Sequence, residues 1–72
     1  MMHKYTLIIK KLMPGADRAL IEKRWMQEAE EAPHYGELKS VEVGESIAYL
    51  RIETDCEITA LAMDRVVYEG ML

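Results

Sequence analysis

Seventy-two residues with a net charge of −4 and a single cysteine exclude several classes of protein before any pattern is read. A chain of this length forms one domain, 1–72, and buries only about 60% of the surface its unfolded form exposes, so an isolated copy is marginal and self-association would relieve it. One cysteine excludes an internal disulfide, no zinc spacing surrounds it, and the acidic balance argues against general affinity for duplex nucleic acid, which rests on cationic contacts to phosphate.

The opening Met-Met-His-Lys-Tyr leads into an apolar run broken by Lys10 and Lys11. That run is too short for a membrane span and carries no signal-peptide cleavage pattern, so a cytoplasmic protein in a reducing setting is expected. Tyr5 to Leu12 reads as the first strand, with Tyr5, Leu7 and Ile9 on one face and Thr6, Ile8 and Lys10 on the other. Met13-Pro14-Gly15 ends it, and Asp17 is the expected N-cap of a helix running to Ala32, where Pro33 stops it. Ile21, Trp25, Ala29 and Ala32 form its apolar stripe, widened by Leu20, which makes Trp25 a core residue. Glu28, Glu30 and Glu31 form an acidic patch near its C-terminus, either a solvated face or a contact for a basic partner. His34 and Tyr35 fall in the following loop.

From Leu38 to Glu57 the chain reads as strand, turn, strand and helix start. Val41 and Val43 alternate with polar residues, as do Ala48, Leu50 and Ile52. A type II′ turn at Gly44-Glu45, with Gly44 at positive φ, pairs Val43 with Ser46 and Val41 with Ala48. A three-residue loop would set Lys39 opposite Arg51 and is disfavoured by the like charges. Thr54-Asp55-Cys56-Glu57 matches a capping box, which opens a second helix expected from Asp55 to about Glu69, ended by Gly70. Two apolar stripes run along it. Cys56, Ala60, Met63 and Val67 form one, and Ile58, Leu61 and Ala62 form the other, on roughly the opposite side. A helix covered on one side only has no use for the second stripe, which therefore marks a dimer interface.

The order β-α-β-β-α, with a right-handed crossover, gives an α+β fold: a three-stranded sheet in order 1-3-2 with two helices on one face. In element order the chain resembles a ferredoxin-like split unit lacking the last strand. The first strand then keeps a free edge, a second route to a homodimer.

No catalytic, cofactor-binding or metal-ligating constellation is present. Cys56 with His3 or His34 lacks the pattern of a nucleophile with its base or of a zinc site, and no glycine-rich phosphate cradle occurs. The leading expectation is a non-catalytic, homodimeric interaction module that regulates, inhibits or adapts another protein. The alternative is binding of RNA or another single strand on the open sheet face, where Lys4, Ile8, Lys10, Ile47, Tyr49 and Arg51 lie. Tyr49 would stack a base there while Lys4, Lys10 and Arg51 hold phosphates.

Overall fold

The computed structural model describes residues 1–70. The elements are β1 (His3–Lys10), α1 (Arg18–Glu31), β2 (Glu37–Val43), β3 (Ile47–Thr54), α2 (Glu57–Met63) and β4 (Val67–Glu69), with a 3-10 turn at Pro33–Tyr35. The class is α+β. The first three strands take the expected order, but the sheet has four strands, ordered β2-β3-β1-β4. β1 and β3 pair antiparallel along their whole length, from His3 with Thr54 to Lys10 with Ile47. One continuous core joins Tyr5, Leu7 and Ile9 of β1, Ala48, Leu50 and Ile52 of β3, Ile21 of α1 and Ala60 of α2, so both helices cover the same face.

Local chemistry explains the first half of the chain. Lys11 at φ 56 ends β1 two residues before Leu12. Asp17 caps α1, its Oδ1 accepting from the Leu20 amide at 2.9 Å. An i,i+4 ion pair, Arg18 with Glu22 at 2.8 Å, supports the first turns, and Pro33 bars continuation past Ala32.

The hairpin keeps the expected faces but not the expected register. Val43 lies opposite Ala48 and Val41 opposite Leu50, a shift of two residues, and the Gly44 amide donates to the Ile47 carbonyl at 2.7 Å around a Glu45-Ser46 loop. Gly44 is not among the glycines at positive φ, so the type II′ turn is not formed. Side-chain burial sets the register here. Leu38 is out of phase with Val41 and Val43, and a bulge between Leu38 and Ser40 corrects this, seating Leu38 over Ile52 and Val41 over Leu50 while Lys39 stays exposed.

The second helix is half its expected length. Thr54 ends β3 instead of capping the helix; its buried hydroxyl donates to the His34 carbonyl at 2.7 Å and accepts from the Cys56 amide at 3.1 Å, while Cys56 occupies the N-cap without a side-chain bond. Beyond Met63, the Asp64 carboxylate accepts from the Thr6 amide at 3.0 Å and the Arg65 amide donates to the Thr6 carbonyl at 2.7 Å. Arg65 takes φ 60, which no helix can continue through. Val66-Val67-Tyr68, rich in β-formers, then lies along β1, with Ile8 opposite Val67 and Lys10 opposite Glu69. Val67 therefore belongs to the sheet, not to a helical stripe, and the expected free edge of β1 is occupied from Thr6 to Lys10.

The direction of β4 follows from the length of α2. Seven helical residues advance about 10 Å, less than half of the roughly 26 Å spanned by an eight-residue strand. A helix that recrossed the whole sheet would return the chain antiparallel to β1, as in a split βαβ unit. The short α2 delivers it halfway, and β4 continues parallel to β1.

The link between α1 and β2 is held by Gly36. It adopts φ +94, and a Cβ there would overlap the Glu53 carbonyl and the Thr54 side chain. Thr54→Val should cost about 2 kcal/mol by stranding two backbone groups, and Gly36→Ala about 2–4 kcal/mol by strain and overlap. Urea denaturation measures both, and a loss under 0.5 kcal/mol in either contradicts the assigned contact.

Candidate functional site

Three surfaces carry features beyond fold maintenance. The first is the outer side of α2. Ile58 and Leu61 are 78% and 75% exposed, and Ala62 is exposed beside them, all within one turn of helix. Leu61 borders a shallow depression at the start of β1, lined also by Met2, His3, Lys4, Glu57 and Asp64. Met2 is exposed as well, so the apolar patch extends beyond the helix. At the head of α2, the polar surroundings of the Cys56 thiol, the Thr59 hydroxyl first and the nearby backbone amides next, lower its pKa from the usual value.

The second surface is the sheet face away from the helices. The pairing registers place Lys4, Ile8, Lys10, Ile47, Tyr49 and Arg51 there together. Glu42, Tyr49, Ile8 and Val67 form one row across all four strands. Two of the three cations meet carboxylates: Arg51 pairs with Glu42 at 2.8 Å, and Lys4 approaches Glu53 at 3.9 Å. Phosphate would compete with those carboxylates for Arg51 and Lys4. The acidic residues Glu28, Glu30 and Glu31 are all exposed on α1, away from this face.

The third is an apolar cleft of about 230 Å³ on the helix-covered side, which the sequence did not reveal. It exists because α2 stops early, leaving part of the sheet between α1, Met63 and Tyr68. Leu7, Ile9 and Leu50 form its floor; Trp25, Tyr35, Met63 and Tyr68 form its walls; Arg24 and Glu28 also line it. Trp25, expected as a core residue, packs against the core cluster while remaining half-buried, and its indole N–H donates to the Gly36 carbonyl at 3.3 Å. Tyr5 donates its hydroxyl proton to the Tyr35 carbonyl. Burial, reinforced by Tyr35 and Tyr68, pushes its pKa up to about 12, and burial followed by Tyr35 also raises Tyr68.

Among the described residues, no group of three or more His, Cys, Asp and Glu side chains converges to hold a metal ion, and no helix is long and apolar enough to cross a membrane. Comparison with protein-family models, curated proteins and solved structures finds no match to this chain.

The Tyr5 hydroxyl links the cleft to alkaline stability. Its folded pKa lies above the unfolded value of 10.0, so ionisation is easier in the unfolded chain. The contribution is complete below pH 10 and is lost as pH rises toward 12. Chemical denaturation between pH 9 and 12 should show this loss, about 2 kcal/mol at most, and Tyr5→Phe should flatten the Tyr5 component. An unchanged alkaline slope in that variant contradicts the assignment.

Proposed function

We propose that the chain is a small intracellular, cytoplasmic, homodimeric interaction module without chemistry of its own, which acts by binding and modulating another protein. The observation that carries the reading is the exposure of Ile58 and Leu61, two large aliphatic side chains one turn apart on a helix whose opposite side already supplies the core residue Ala60. Single exposed aliphatics are ordinary; a clustered pair adjoining Met2 is the kind of patch an interface covers.

The surroundings of Leu61 support self-association. The depression beside Leu61 is lined by His3 and Lys4 at the start of β1 and by Glu57 and Asp64, so basic and acidic residues both border the patch. An isologous contact through the patch would bring two such mixed borders together, so that Lys4 of one copy can meet a carboxylate of the other. β4 occupies the β1 edge from Thr6 to Lys10, which leaves the outer side of α2 as the more extensive of the two dimer routes. The sheet face, with Ile8, Ile47 and Tyr49 among charges of both signs, would stay open for a protein client. Its paired cations favour that client over a nucleic acid.

Ile58→Lys and Leu61→Lys should each convert the dimer to monomer in size-exclusion chromatography with light scattering, changing the monomer's intrinsic stability by about 0.5 kcal/mol or less. Leu50→Lys should unfold the chain, since Leu50 is buried and the new charge has no partner. A monomeric wild type, or equal destabilisation by all three substitutions, would refute the proposed interface.

A further inference from the structure

The cleft beneath Trp25 is separate from both proposed protein-binding surfaces. We propose that it binds a free α-amino acid with a large apolar side chain, the side chain filling the cleft and the zwitterionic head resting between Arg24 and Glu28.

Size and access narrow the occupant first. An apolar cavity of about 150 Å³ accepts benzene. At about 230 Å³, the cleft has room for a phenyl or branched aliphatic group together with part of the atoms that carry it. Leu7, Ile9 and Leu50 on the floor are each no more than 6% exposed. A floor set this far below the surface is reached more readily by one slender apolar group than by a helix or strand of another chain. The walls suit such a group: Trp25 and Tyr68 offer ring surface, and Met63 is an adaptable thioether.

The charged lining then selects the head group. Arg24 and Glu28 sit one turn apart on α1 and both border the cleft. No ion-pair partner lies within 4 Å of either among the described residues. A simple carboxylic acid would bring its anion beside Glu28, and a simple amine would bring its cation beside Arg24. A molecule carrying both charges on one carbon next to its apolar body satisfies both at once, through charge-assisted hydrogen bonds.

The full chain should be titrated with L-phenylalanine, following emission from Trp25, the single tryptophan, and the NMR resonances of the Trp25 indole N–H and the Met63 methyl. Hydrocinnamate, phenethylamine and L-alanine serve as comparison ligands. Saturable binding is expected, roughly three- to fivefold tighter for L-phenylalanine than for either analogue with one charge, and undetectable for L-alanine. Arg24→Gln should cost L-phenylalanine a similar factor while leaving phenethylamine unimpaired, and Glu28→Gln should do the converse with hydrocinnamate. Both positions are exposed, so melting temperature should not move. The proposal is overturned by the absence of saturation, by equal affinity for the analogues, by L-alanine binding as well as L-phenylalanine, or by resonance shifts that avoid the cleft.

Discussion

The junction at Thr6 determines most of what is unusual in this fold. Both backbone groups of that residue are taken by the segment after α2, the amide by the Asp64 carboxylate and the carbonyl by the Arg65 amide. An aspartate that engages backbone away from its own helix competes with helical hydrogen bonding, and a residue at positive φ ends it. From that stop follow the short α2, the parallel course of β4 and the incomplete roof over Leu7, Ile9 and Leu50. The cleft is thus a direct result of where one helix terminates.

A second organising contact lies at the other end of the core. Thr54 is almost wholly buried, and its single hydroxyl ties the turn after α1 to the start of α2 by donating to His34 and accepting from Cys56. No buried side-chain nitrogen or oxygen among the described residues lacks a partner. With polar groups satisfied inside, the conspicuous unsatisfied features are apolar and external, on α2 and across the sheet face. The proposed interaction role rests on that distribution.

Much of the architecture was legible in the residues. The alternation in β1 and β3, the Asp17 cap and the Pro33 stop all rest on strong local preferences that tertiary contacts reinforce. The outward position of Ile58 and Leu61 followed from helical periodicity over the two turns that are in fact helical. What could not be read depends on contacts distant in sequence. Thr54, three residues before Glu57, looks like a capping-box residue, but its hydroxyl has another use at His34, twenty residues back. Val66, Val67 and Tyr68 did carry a strand signal. Continuing the helical wheel past Met63 obscured it, because Val67 fits both periods. The cleft was hidden for the same reason, since a full-length helix would have filled it.

The Lys39 bulge has a bearing on how far association can proceed. β2 is an outer strand of seven residues, and an unbroken ladder of that length would be open to docking by any extended segment. The extra residue between Leu38 and Ser40 interrupts the hydrogen-bond rhythm, and an ammonium held by Glu37 and Glu53 stands at the interruption. On the opposite flank, β4 offers only three residues and β1 only the short stretch before Thr6. Neither rim is a good template for adding strand upon strand. Growth into fibrils is thereby discouraged, and copies that meet through their helices would form closed pairs that remain discrete even when crowded.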